Sequence, residues 1–134
     1  MKTRLFDAFA IMLLIKRRPG EATQTLEGEH ILDLTIYEVG NAFWKISKLL
    51  DKTDAPKALQ AIEEAHSILS LMNVQKLEDE ADLTQTMEIA HKKNLSFYDA
   101  AYIQVAKRRG LILVTEDMRL LKASEELGII TSRI

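Results

Sequence analysis

Apolar positions along the chain follow two rhythms. Arg4-Leu5-Phe6, His30-Ile31-Leu32-Asp33-Leu34, Leu111-Ile112-Leu113-Val114 and the run from Ile129 to Ile134 are short, nearly unbroken and bounded by polar or turn residues, the pattern of strands covered on both faces. Between them the spacing changes to three and four residues, which is helical. Ala8 to Arg18 is predicted as a helix ended by Pro19-Gly20, and Glu21 to Gly28 as a further short one. From Thr35 onward Val39, Ala42, Phe43, Ile46, Leu49 and Leu50 share a face. Pro56 opens a packing helix with Ala58, Ile62, Ala65, Leu69 and Met72 inward. Asn73 to Glu80 is expected to be a short edge strand, Asp82 to Lys93 a helix with Leu83, Met87 and Ala90 inward, and Met118 to Leu127 a helix stopped by Gly128. Strands alternating with helices predict an α/β fold around a parallel sheet.

One helix stands apart. From Ala100 to Ala106 the chain is apolar or small except for Gln104, and polarity returns only at Lys107-Arg108-Arg109 before Gly110. This helix is predicted to be almost wholly buried, with Asp99 on the same stripe as Tyr102, Ile103 and Ala106. Ser96 and Asp99 have capping-box spacing, which alone explains an acid in a first turn. The same spacing recurs at Thr35 and Glu38, and Asp7 and Asp117 each follow a short apolar segment. Four acids therefore stand at junctions between elements. In a parallel sheet the carboxyl ends of the strands share one edge, where ligands bind, so Asp7, Glu38, Asp99 and Asp117 are expected to converge there.

Length and composition narrow the class. A chain of 134 residues is sized for one domain, expected to span 1–134, with 47% hydrophobic and 28% charged residues as in ordinary globular proteins. With no cysteine, disulfide and thiol chemistry are excluded, and a reducing cytoplasm is the expected setting. The apolar run Ala8 to Ile15 has its basic residues behind it and is well short of the ~20 residues a membrane span needs, so neither a signal nor an anchor is expected. A net charge of −2 removes the bulk basicity of many nucleic-acid binders. Basic clumps at Lys16-Arg17-Arg18, Lys92-Lys93 and Lys107-Arg108-Arg109 suit helix C-termini and together could frame an anionic substrate. His30, His66 and His91 are scattered and form no triad.

Converging acids carry a cost. Two carboxylates ~5 Å apart at an effective dielectric of ~20 repel by roughly 3 kcal/mol. Either protons stay on or a cation binds, and all-oxygen donors suit Mg²⁺ or Mn²⁺.

The sequence resembles the PIN-domain ribonucleases, and within them the VapC-type toxins of toxin–antitoxin pairs. The resemblance covers nearly the whole chain. It is carried by Leu5-Phe6-Asp7-Ala8, by Leu32 to Val39 with Asn41-Ala42-Phe43-Trp44-Lys45, by Leu95 to Tyr102, and by Leu113-Val114-Thr115-Glu116-Asp117 with Leu120. It implies a three-layer sandwich with a central parallel sheet. It also implies a metal-dependent endoribonuclease, with Asp7, Glu38, Asp99 and Asp117 as catalytic and metal-binding acids and Thr115 and Asn41 in support. The implied cofactor is Mg²⁺ or Mn²⁺. The implied partners are an RNA substrate, a second copy of the chain and a small antitoxin protein that silences the site. One position departs from the pattern: Phe9 replaces the Ser or Thr usual two residues after the first acid, which offers the alternative of a degenerate scaffold that binds RNA or protein without cleaving. A phosphate-accepting receiver domain is disfavoured, since paired acids after the first strand and a Lys-Pro near the last are both missing.

Overall fold

The computed structural model describes residues 3–134. Its centre is a five-stranded, all-parallel sheet in the order β3-β2-β1-β4-β5, built from β1 (Arg4–Phe6), β2 (His30–Leu32), β3 (Asn73–Gln75), β4 (Ile112–Val114) and β5 (Thr131–Ser132). Seven helices connect and cover it: α1 (Ala8–Arg17), α2 (Pro19–Leu26), α3 (Asp33–Trp44), α4 (Ala55–Leu69), α5 (Glu80–Lys93), α6 (Phe97–Arg109) and α7 (Met118–Glu126). The chain winds outward through β1, β2 and β3, then restarts on the other side of β1 with β4. The winding direction reverses between β1 and β4, and in open α/β sheets that reversal opens the ligand crevice.

Alternation along the strands makes the layers. Leu5, Leu32 and Leu113 face one core together with Tyr102, Ile103, Val105 and Leu120, whereas their neighbours Phe6, Ile31 and Val114 face a second core with Ile11, Leu14, Leu26 and Leu69. Successive strand side chains point to opposite faces, so three-residue strands suffice to hold both layers. A satellite cluster of Ala8, Val39 and Ala65 joins α1, α3 and α4. The sandwich expected from the sequence is the observed one, and every residue of the central helix from Ala100 to Ala106 is buried. Gly110, at φ +65°, takes the left-handed conformation that ends it.

Several elements differ from expectation. Pro19 occupies the first position of α2 rather than simply ending α1, which suits a residue with no N–H to leave unpaired. The strand at His30 stops at Leu32, and α3 begins at Asp33. Thr35 is thus inside the helix instead of preceding it, its Oγ1 accepting the Leu32 N–H at 3.0 Å, and Glu38 falls in the second turn rather than the first. Beyond Trp44 the helix widens into a π-helical turn, Lys45–Leu49, marked by the Leu50 N–H to Lys45 C=O bond of 3.0 Å. The changed pitch breaks the predicted stripe, so Leu49 and Leu50 are exposed. The last predicted strand shortens to Thr131–Ser132.

The largest reversal is α5. Leu83 and Met87, expected inward, are exposed, whereas Asp82 and Thr86 are buried. Ile89 and Ala90, the latter inward as expected, join the main core, and the rest of the inward face is polar because α6 supplies partners: Arg108 Nε reaches Asp82 Oδ1 at 3.0 Å, Gln104 Nε2 donates to the same oxygen at 3.0 Å, and Thr86 Oγ1 donates to the Asp82 carbonyl at 2.6 Å. These pairs also spend part of the basic clump at the end of α6. Lys93 likewise approaches Glu126 at 3.8 Å. Arg108 and Lys93, one from each of two clumps, are thus paired with acids of neighbouring segments.

Candidate active site

Strand register explains the first contact. Phe6 pairs with Val114, so the next residues, Asp7 and Thr115, leave β1 and β4 side by side at the reversal point. Thr115 Oγ1 donates to Asp7 Oδ2 at 2.5 Å and accepts the Asp117 N–H at 3.0 Å. One hydroxyl thereby ties two acids together. Asp7 also caps α1, its Oδ1 accepting the Ala10 N–H at 2.8 Å. Asp117 caps α7 through Oδ1, which accepts from the Arg119 N–H at 3.0 Å. Capping fixes both side chains at helix N-termini, where the dipole favours negative charge.

Glu38 and Asp99 approach from the neighbouring helices. Ser96 caps α6 by accepting the Asp99 N–H at 3.0 Å, half of the predicted box. Three residues further along, Tyr102 is 1% exposed and donates its hydroxyl to Glu38 Oε1 at 2.6 Å. Its oxygen lies 2.7 Å from Thr35 Oγ1. Because the Tyr102 proton goes to Glu38, Thr35 is the donor in that second contact, and a directed chain runs from Leu32 N–H through Thr35 and Tyr102 to the carboxylate. Sequence reasoning missed Tyr102 as a polar participant, since its spacing marked it only as core. A tyrosine on an otherwise aliphatic buried stripe was the available signal, because buried tyrosine hydroxyls need partners.

Charge couples the four acids into a ring. Burial pushes the Asp7 carboxyl up to about 6, against the lowering hydrogen bonds from Thr115 and Ala10, and the charges of Glu38 and Asp117 push the same way as burial. Glu38 is raised by burial and by Asp99, while its Tyr102 bond opposes the shift. Asp99 is raised by burial and by Asp117, with Arg119 opposing. The Tyr102 phenol is raised as well, by burial first and then by the Glu38 charge. Each of the four acids thus interacts with two of the others. Among the described residues no three acidic or histidine side chains close into a metal cage, so the acids share a field rather than a complete ligand shell. Their all-oxygen donor chemistry is that of a hard divalent cation such as Mg²⁺, which keeps several waters and takes one or two carboxylates. Asn41 is exposed on α3 and bonded to none of the acids.

Phe9 is 53% exposed and faces away from the acids, into an apolar cleft of about 450 Å³ with Met12, Val39, Phe43 and Ile46.

A parallel α/β sandwich with acids gathered at its reversal point defines a class, and comparison with known proteins assigns it. The PIN domain family model matches residues 5–126, and the chain belongs to that family, within its VapC-type branch. It is 38% identical over 93 residues to Exonuclease VapC9 of Pyrobaculum aerophilum, a match covering 68% of this chain and 63% of that protein's length. It is 32% identical over 119 residues to Ribonuclease VapC3 of the same organism, covering 85% of this chain and 87% of the relative. Among solved structures, PAE2754 from Pyrobaculum aerophilum superposes with a TM-score of 0.77 at 34% identity, covering 97% of this chain and 83% of that one. The DNA-bound VapBC structure from Salmonella typhimurium shares the fold, with a TM-score of 0.69 at 20% identity over 99% of this chain and 98% of that one.

Proposed function

We propose that this chain is a Mg²⁺- or Mn²⁺-dependent endoribonuclease, the toxin of a cytoplasmic toxin–antitoxin pair, in which Asp7, Glu38, Asp99 and Asp117 perform the chemistry. The observation that carries the reading is the hydrogen bonding of the acids beside the reversal point of the sheet, Thr115 joining Asp7 to Asp117 and Tyr102 holding Glu38, where burial and neighbouring acids raise Asp7, Glu38 and Asp99, an arrangement that costs stability unless a cation offsets it. When bound, the metal supplies charge stabilisation and a more acidic water for phosphodiester hydrolysis. Asp7, anchored through both oxygens, and Asp117, anchored through one, would hold that cation with Asp99. Glu38 has Oε1 fixed by Tyr102, which leaves Oε2 to accept the proton of an attacking water as the new P–O bond forms, while the ester P–O bond breaks and its departing alkoxide takes a proton from solvent water. Thr115 and Tyr102 are positioning residues, acting through Asp7 and Glu38.

Partner assignments follow the family. VapC9 and VapC3 are named as nucleases, and the Salmonella fold relative was solved as a VapBC assembly on DNA. The apolar cleft of Phe9, Met12, Val39 and Phe43 is the surface we assign to the antitoxin, with Phe9 serving that contact rather than marking a degenerate site. We also assign a second copy of the chain to the outward face of α5. Among the described residues no helix is long and apolar enough to cross a membrane.

The decisive test is cleavage of single-stranded RNA by purified protein with Mg²⁺ or Mn²⁺, with excess EDTA, and with Asp99→Asn. Cleavage by the parent, lost in EDTA and reduced at least ~100-fold in the variant, is the expected outcome. Full activity in EDTA or in Asp99→Asn would overturn the reading.

A further inference from the structure

Beside the acids lies a cleft of about 380 Å³ whose lining is Leu34, Tyr37, Glu38, Asn41 and Tyr98. Its two tyrosines are the unusual feature. Tyr37 is 77% exposed and Tyr98 62%, and neither hydroxyl is held by another group among the described residues, nor is the Asn41 amide. Large aromatic faces left open beside a reacting centre have a chemical use that burial does not explain. They stack on flat rings.

We infer that this cleft is a subsite for one unpaired base of single-stranded RNA, stacked against Tyr37 and Tyr98 so that the attached phosphodiester is delivered to Glu38 and its neighbouring acids. The inference rests on the nuclease reading above and adds to it a subsite that holds a base of the substrate. Three observations commit the cleft to RNA. Glu38 belongs to both the acid ring and the cleft wall, so the subsite is continuous with the site of chemistry. Asn41 lines the same cleft and offers a donor and an acceptor, as base-edge recognition requires. Downstream of Asn41, Lys48 is exposed in the π-helical turn that follows α3, a cation available to the strand's phosphates although the chain as a whole is acidic at −2. A duplex cannot offer its base faces to such a cleft without unstacking, so the subsite selects unpaired RNA. Stacking tolerates every base, so only a modest preference is expected.

A short single-stranded RNA carrying one 2-aminopurine tests this, because stacking quenches that base. Titrated into the parent with Ca²⁺ in place of Mg²⁺, it should show saturable quenching. Tyr37→Ala and Tyr98→Ala should each weaken binding about tenfold, equivalent to ~1.4 kcal/mol, whereas Tyr37→Phe and Tyr98→Phe should bind as the parent does. In cleavage assays the Ala variants should show KM raised by a similar factor with kcat within about twofold of the parent. Melting curves matching the parent establish that the exposed substitutions leave the fold intact. Unchanged RNA binding in both Ala variants would overturn the subsite, as would variants whose only change is the oligomeric state seen by light scattering, which would make the tyrosines a protein interface. Quenching in a protein that cuts no RNA with Mg²⁺ or Mn²⁺ would instead leave the subsite standing and remove the nuclease reading.

Discussion

Asp7 is where the chemistry of the site meets its stability. Its carboxyl is 7% exposed and titrates at about 6 in the folded chain, against an ordinary 3.8. Between those values the folded state holds a proton that the unfolded state releases. This group therefore favours folding most at acid pH, and the contribution is lost as pH rises through about 6. Asp7→Asn removes the titration, and the metal-free variant should gain ~1–3 kcal/mol relative to the parent at pH 7.5 but little at pH 4.5. Denaturant melts at the two pH values, with EDTA present, measure it; an equal effect at both would show that the charge is not the cause. Tyr102 predicts the opposite behaviour. Tyr102→Phe leaves Glu38 Oε1 and the Thr35 hydroxyl without their buried partner, which should cost roughly 1–3 kcal/mol and lower kcat more than it raises KM. If Glu38→Gln abolishes cleavage while Tyr102→Phe leaves kcat untouched, the positioning role is wrong. Asp7 and Thr115 were legible in the sequence because strand ends place them in register. The Tyr102 bond was not, since periodicity reports that a side chain is buried and not which polar atom meets it.

At the scale of elements, patterning succeeded where apolar burial decides the face and failed where polar pairing does. The stripe of α6 was legible because its alanines and Tyr102 face the sheet. In α5 the same rule placed Ala90 correctly but not Leu83 and Met87, because Asp82, held by Gln104 and Arg108 from α6, outweighs their apolar pull. That network depends on residues more than 20 positions away along the chain, beyond any local window. Burial raises the Asp82 carboxyl, but the Gln104 bond, the Glu78 N–H and Arg108 together leave it below the ordinary range. Its contribution is present above the ordinary carboxylate value and lost as pH falls through the depressed one, opposite in sign to Asp7. Asp82→Ala should cost ~2 kcal/mol by stranding Gln104 and Arg108, whereas Glu88→Ala on the exposed side should stay within ~0.5 kcal/mol. Comparable melting temperatures for the two would remove the network from the account of why α5 packs as it does. The π-helical turn after Trp44 was equally illegible, because nothing in Lys45 to Leu49 distinguishes a widened turn from an α-helical one.

For the whole molecule, the inverted α5 leaves an unbalanced surface. Leu83 and Met87 are four residues apart on one face, 52% and 57% exposed, and two large apolar side chains left open side by side on a helix are half of a contact. The proposed occupant is the same helix of a second copy, a two-fold arrangement in which each face meets its own image. Such a dimer buries these side chains without disturbing Asp82 and Thr86 beneath them. Leu83→Glu combined with Met87→Glu places four like charges across the two-fold interface, while in a monomer the same substitutions add only solvated carboxylates to an exposed face. Light scattering at tens of micromolar should show the parent as a dimer and the double variant as a monomer with its helical content intact. The acids lie at the strand ends, away from this face, so the separated subunits should keep the shift in melting temperature that Mg²⁺ or Mn²⁺ gives the parent, which at a concentration 100-fold above the dissociation constant corresponds to ~2.7 kcal/mol. A parent that scatters as a monomer would remove α5 as the dimer face. A monomeric variant that no longer responds to the metal would show instead that the acid ring is completed only when two copies meet.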